Sequence, residues 1–377
     1  MRLLLITRNE IGGVLTYVLN FSKYLKSNNI DHLVILYEEN SMFLDSEFKV
    51  DNILKFNFSK YSSQKSKFSI FKKHIFPTDI LIVNDTTEIE LINYYQIKNK
   101  SIYILHGDII HYQGYLKKYH NGFDDIFCVS NYLKDKYKAK YPSHSFSVVH
   151  PMIEDYPIKN KYTTETPIKI ASIGRFEYLK GSDTIKNTIN NLKKKELSFD
   201  WTLFIPPFKN DEELLNEIGD LVIVKRGLNN KQVLEAIEKM DVLFFPSRSE
   251  GFSMSIVECL KRGVVVIARD IPMGIPEIIN NYVNGIICKN DLEFKLAIQK
   301  FIENPELLLT MKKNAAEIAN KKFSYELECN NLLNLILNSK SNGCKTYEDV
   351  ELIDPKLPEF VLRMSRYIKH NMINKWI

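Results

Sequence analysis

The segment DVLFFPSRSEGFSMSIVECLKRGVVVIA, residues 241–268, decides how this chain reads. The apolar run from Asp241 is a strand that Pro246 ends, since proline brings no amide hydrogen to a ladder. A loop, Ser247 to Gly251, follows, and a helix is predicted from near Ser253 to about Lys261. The run VVVIA is then a second buried strand. The first amides of the helix, Ser253 to Ile256, have no partner within it and point at whatever anion lies beyond its end. Glu250 stands before the helix and Glu258 inside it. An ionised carboxylate only accepts hydrogen bonds, so each can hold a pair of neighbouring hydroxyls. One segment could thus seat a sugar, a phosphate and a ribose in turn. Taken singly, these are also the marks of a capped helix with solvated glutamates; their combination carries the reading.

The same alternation of short apolar runs and amphipathic segments extends in both directions. RLLLIT, HLVILY, ILKFNF, ILIVN, SIYIL, IFCVS and SVVH occupy the first half, and IKIASIG, WTLFIP, LVIVK and NGIIC the second. Several are apolar throughout, as strands covered on both faces are. The expected class is α/β, with parallel sheets flanked by helices. PMIEDYPIKNKYTTETP, residues 151–167, has three prolines and no apolar period, and reads as a linker. It divides the 377 residues into domains expected at 1–160 and 161–340. A last helix is expected at 355–377.

Composition narrows the class. Apolar residues make up 45% and charged residues 26%, the balance of a globular chain. Cys128, Cys259, Cys288, Cys329 and Cys344 form no C-x-x-C pair, which argues against a zinc knuckle or a disulfide framework and for a reducing compartment. No apolar run reaches the ~18 residues of a membrane span, and Arg8 and Glu10 cut short the run at the N-terminus. The expected location is cytoplasmic. The net charge is +5, and the stretch from Asn52 to Thr78 holds six lysines and no acid. Within it Phe68, Phe71 and Ile75 recur at helical spacing, with Lys65, Lys72 and Lys73 off that stripe. Residues 60–76 therefore read either as an interfacial helix on an anionic membrane, on the inner face of the plasma membrane, or as a helix packed on its own sheet. No nucleic-acid motif accompanies the charge, so no nucleic-acid partner is expected.

In open parallel sheets ligands bind beyond the carboxyl ends of strands, and three more loops leave such ends. RNEIGGV carries Gly12 and Gly13 at a helix start; it is a backbone approach to a ligand or simply a turn. LHGDIIH places His106 at a strand end, as a site group or as a loop histidine with a local hydrogen bond. SIGRFEYLKG sends Arg175 and Lys180 toward the start of the next helix. A guanidinium, an ammonium and a helix dipole suit a diphosphate, although two solvated cations would look the same.

With PSRSEGFSMSIVE preceded by GRFEYLKG, the chain resembles the retaining glycosyltransferases of family 4, within the glycosyl transferases group 1. The resemblance covers the chain loosely in its first half and well from Ile168 to Asp291. It implies the GT-B fold: two facing Rossmann-like domains, with the helix at 355–377 returning to the first. It also implies roles. Gly12 and Gly13 match the glycine loop near the donor diphosphate, and Arg175 and Lys180 the diphosphate clamp. Glu258 matches the glutamate on the donor ribose, and Glu250 the one on the donor sugar. The backbone of Gly251, Phe252, Ser253 and Met254 matches the sugar and phosphate contacts, and His106 is similar to a histidine near the anomeric centre. Ser253 stands where the family has glycine, and Met152-Ile153 where it has Asn-Gly.

The activity so implied is a hexosyl-type transfer (EC 2.4) with retention, from a nucleotide-sugar, UDP-sugar favoured, to a glycan or lipid-linked acceptor in surface polysaccharide synthesis such as O-antigen or capsule. No Asp-x-Asp occurs, so no obligatory metal or other cofactor is expected. A sugar-nucleotide epimerase of the same fold and an inactive carbohydrate-binding relative are the alternatives.

Overall fold

Leu3 to Ile6 are buried on both faces of the strand they form, and that strand organises the first half of the chain. The computed structural model describes residues 1–10, 12–41, 46–59, 62–158, 162–206, 218–340 and 345–350. The chain folds as two units. One comprises Met1–Cys128, Lys138–Ser147 and the chain from Leu332; the other comprises Val129–Tyr137 and Val148–Asn331.

In the first unit the strands are β1 (Arg2–Arg8), β2 (His32–Ser41), β3 (Ser46–Val50), β4 (Ile53–Ser59), β5 (Asp79–Val83), β6 (Ser101–Leu105), β7 (Asp125–Cys128) and β8 (Phe146–Val148), in the order β3-β4-β2-β1-β5-β6-β7-β8. β1 pairs in parallel with β2 and β5, Leu5 lying opposite Val34 and Ile82. β3 departs from the all-parallel expectation. It pairs antiparallel with β4 through the turn Asp51-Asn52, and Asp51 takes a left-handed φ of 51°. Its sequence, SEFKV, mixes charged and apolar residues, a composition that suits a sheet edge and gives no apolar run to detect. The helix Gly13–Ser27 covers the sheet with Tyr17, Val18, Phe21 and Leu25.

The stripe at 60–76 resolves in favour of the sheet. Lys60 and Tyr61 lie outside the described residues. The helix Gln64–Lys73 buries Phe68 and Phe71, and Ile75 follows them into the core. The Phe71 ring lies 5.3 Å from Tyr37 and 5.6 Å from Phe58. The apolar face expected to meet a bilayer is therefore core; Lys65, Lys72 and Lys73 face outward, and Lys67 is buried with the aromatic rings. Helical spacing alone cannot separate the two fates, because a sheet and a bilayer bury the same stripe.

The expected helix at 355–377 lies outside the described residues. The chain just before it does dock on the first unit: Lys345 Nζ is 2.6 Å from Asp124 Oδ2, and the Tyr347 hydroxyl donates to the Ile97 carbonyl at 2.7 Å.

The second unit holds β9 (Ile168–Ile173), β10 (Phe199–Ile205), β11 (Ile223–Arg226), β12 (Val242–Phe245), β13 (Val265–Arg269) and β14 (Gly285–Cys288), all parallel, in the order β11-β10-β9-β12-β13-β14. Trp201 and Phe244 sit at its centre with ring centroids 4.8 Å apart, and the indole N–H donates to Ser172 Oγ at 3.2 Å. The chain order reverses between β9 and β12, and the loops leaving these two strands are GRFEYLKG and SRSEGFS. That is where an open sheet of this kind places its ligand.

Candidate active site

The expected site residues divide between the units. Gly12, Gly13 and His106 belong to the first, and the remaining ones to the second.

In the second unit Arg175 leaves the end of β9, and a short 3-10 turn, Tyr178–Lys180, leads to Gly181 and the helix Ser182–Lys194. Gly181 has φ +78°, and a Cβ there would come within 2.5 Å of the Pro246 carbonyl oxygen. Only glycine lets the cation loop approach the end of β12 this closely. The approach brings Lys180 Nζ to 2.5 Å from Glu250 Oε1, and Ser247 Oγ donates to the same oxygen at 2.8 Å. Two motifs seventy residues apart in the chain thus share one carboxylate. The Arg175 guanidinium is more than half exposed and lies 3.1 Å from Glu177. Ser172, Gly174, Arg175, Lys180 and Ser247 help line one pocket beyond the strand ends.

The predicted helix is present as Met254–Lys261 with Ser253 at its N-cap. Ser253 makes no side-chain cap; its hydroxyl lies 3.1 Å from Ser255 Oγ and is buried. The serine in place of glycine therefore turns its side chain into local structure. Phe252 is likewise buried, its ring 5.2 Å from His150 and 5.6 Å from Phe323, so its backbone is what the loop can offer a ligand. Glu258 lies part-buried, with Asn230 Nδ2 3.5 Å away, and burial raises its pKa against the pull of Asn230 and Arg262.

Residues that the motifs did not flag hold these loops. Gly274, at φ +69°, stands where a Cβ would meet the Gly251 carbonyl oxygen at 2.9 Å. Arg248 clasps Asp183 with both guanidinium nitrogens at 2.8 Å. A Gly before a Pro-containing helix and an Arg inside the motif were visible signals, but their partners were not. In the first unit, His106 Nε2 lies 3.1 Å from Asn84 Oδ1, and its ring stands edge-on to Tyr17. Burial pushes its pKa down to about 3, so it is a neutral imidazole suited to hydrogen bonding rather than to carrying charge. Gly12 is extended and a Cβ would fit there with nothing nearer than 3.9 Å, so the chain's own packing does not require that glycine.

The family model for glycosyl transferases group 1 matches residues 156–318. That stretch is similar to the glycosyl transferases group 1. It contains Arg175, Lys180, Glu250 and Glu258. The chain is 33% identical over 135 residues to a glycosyltransferase 1 domain-containing protein of Xenopus tropicalis, which is 36% of this chain and 39% of that protein. It is 28% identical over 214 residues to an uncharacterized glycosyltransferase of Methanocaldococcus jannaschii, 54% of this chain and 56% of the archaeal one. The chain thus spans 39% and 56% of the lengths of these two relatives. An uncharacterized glycosyltransferase of Haemophilus influenzae is 25% identical over 80% of this chain and 89% of its own length.

Among solved structures, TarM superposes with a TM-score of 0.73 at 13% identity, over 89% of this chain and 98% of its own. HepE of Anabaena, solved with UDP, gives 0.68 at 15% identity, over 89% of this chain and 99% of its own. The fold of the chain is GT-B, with two Rossmann-like domains. The second unit places its two cations and two glutamates on the loops and the helix that follow β9 and β12.

Proposed function

We propose that this protein is a retaining glycosyltransferase that takes a sugar from a nucleoside diphosphate donor, a UDP-sugar by preference, and passes it to a hydroxyl of a glycan or lipid-linked acceptor in surface polysaccharide synthesis. The observation that carries the reading is the meeting of Lys180 with Glu250 at the end of β12, beside Arg175 and an N-terminus that no side chain caps. The likeness to HepE, itself solved with UDP and with UDP-glucose, supports the donor class.

In this reading the bond between the sugar C1 and the diphosphate oxygen breaks with its electron pair leaving on that oxygen. The acceptor hydroxyl attacks C1 on the same face, and its proton passes to the departing phosphate oxygen. Arg175, Lys180 and the first amides of Met254–Lys261 neutralise the charge that grows there. Glu250 orients the sugar and Glu258 holds the ribose. Because two cations and a helix end supply positive charge, the reaction proceeds without an obligatory metal. The test is a donor screen: UDP-, GDP-, ADP- and dTDP-sugars are followed by hydrolysis and by thermal shift. Turnover or stabilisation by one base is expected; no response to any of them would overturn the reading.

A further inference from the structure

We propose that Arg248, gripping Asp183 and Tyr178, is a positioning residue that sets the Lys180 ammonium in place for the donor diphosphate; the inference rests on Lys180 being a diphosphate cation. The problem it solves is visible in the turn that carries Lys180. Tyr178–Lys180 contains no buried residue, and Tyr178 and Leu179 are 64% and 56% exposed. The core holds Phe176 before the turn and Ile185 after it, but no apolar burial places the turn itself. Left to itself, a lysine on such a turn would sample many positions and lose backbone and side-chain freedom on meeting a ligand.

What places the turn is polar, and it comes from the glutamate loop. Arg248 donates to Asp183 Oδ1 and Oδ2, both at 2.8 Å, and its Nη1 donates to the Tyr178 carbonyl at 2.6 Å. Its guanidinium lies 4.0 Å over the Tyr178 ring. Its own backbone N–H donates to the Leu179 carbonyl at 2.9 Å. A single planar fork therefore binds the turn on one side of Lys180 and the first helical residues on the other. Such a fork is bidentate and stacked, and a lysine ammonium cannot reproduce it. Arg248 is also two residues from Glu250, so the same grip fixes the distance between Lys180 and its carboxylate partner. When a diphosphate competes for Lys180, this grip keeps the ammonium in position without Glu250.

The experiment measures binding of UDP, with GDP and ADP in parallel, by calorimetry on wild type, Arg248→Met, Arg248→Lys, Asp183→Asn, Lys180→Ala and the double variant Lys180→Ala/Arg248→Met. A misplaced group costs up to about a hundredfold, so Arg248→Met and Asp183→Asn are expected to weaken nucleotide binding by about ten- to a hundredfold. Arg248→Lys is expected to recover little of this. In the Lys180→Ala background Arg248→Met should add less than about twofold, because the group it positions is gone. Equal effects in both backgrounds would overturn the positioning role, as would unchanged binding in Arg248→Met. Asp183→Asn, an isosteric change at a part-exposed carboxylate, gives the same reading if Arg248→Met does not fold. Unchanged binding in Lys180→Ala would overturn the site assignment itself, and the positioning role with it.

Discussion

Lys180 Nζ lies 2.5 Å from Glu250 Oε1, so the cation expected on the phosphates and the carboxylate expected on the sugar are partners of one another. The ion pair is part-buried, and under the proposed function a donor would replace this one charge-assisted contact with two.

That pairing separates rate from binding. Lys180→Ala removes positive charge from the oxygen that gains negative charge in the transition state. The variant is expected to lose about a hundred- to a thousandfold in kcat, with a smaller change in donor KM. Steady-state kinetics on the donor found in the screen checks it; an unchanged kcat would count against the clamp.

In the proposed function Glu258 answers to the other end of the donor. Among the described residues its carboxylate has a hydrogen-bond donor in Asn230 at 3.5 Å, too long to satisfy it. Two charge-assisted bonds to ribose hydroxyls are worth about 1.5–3 kcal/mol each, so Glu258→Ala should raise donor KM strongly while the fold is kept. Nucleotide titration decides the matter, and unaltered affinity in a folded variant would remove Glu258 from the ribose.

Activity is expected to survive excess EDTA if, as proposed, Arg175, Lys180 and the helix end supply the positive charge. Loss of turnover with chelator, restored by Mg²⁺ or Mn²⁺, would assign that charge to an ion instead.

The glycines make opposite predictions. Gly181→Ala combines a left-handed φ with a Cβ 2.5 Å from the Pro246 carbonyl oxygen, so it should destabilise the protein by about 1–3 kcal/mol. Gly12→Ala meets no such contact and should leave the melting temperature unchanged. If its loop approaches the diphosphate, donor affinity alone should fall. Thermal melts beside nucleotide titrations distinguish the two.

His150 couples stability to pH. Burial alone would pull its pKa down, but the carboxylates of Glu277 and Glu328 beside it outweigh this and carry it up to about 9. Its ring nitrogens lie 3.2 Å from Glu328 and 3.5 Å from Glu277. Glu277 also receives both amides at the start of the helix Asn131–Lys140. A folded-state pKa above the unfolded value means that folding takes up a proton. The stabilisation is thus complete below the unfolded pKa of about 6.5 and is lost as pH rises through about 9. Melts across that window should show a falling limb in wild type that His150→Gln flattens. Parallel curves would place the proton elsewhere.

The sequence alone determined the class of fold and the identity of most candidate site residues. Buried parallel strands announce themselves as apolar runs, and Pro246, Ser253 and Lys261 bound their elements within a residue or two of where the reading set them. The four charged residues, Arg175, Lys180, Glu250 and Glu258, were legible because they stand at strand ends and in a helix start, positions that local pattern reveals. The edge strand β3 was not legible, because its residues show no apolar run and its pairing is set by a turn. The stripe Phe68-Phe71-Ile75 was legible as a stripe but not as core, since periodicity specifies a face and not what covers it. Only the tertiary structure decided that Lys180 meets Glu250, that Arg248 holds Asp183 across 65 residues of chain, and that Gly274 supports the loop at Gly251. Such contacts depend on which strand ends the parallel order brings side by side, and β9 and β12 become neighbours only when the sheet is complete.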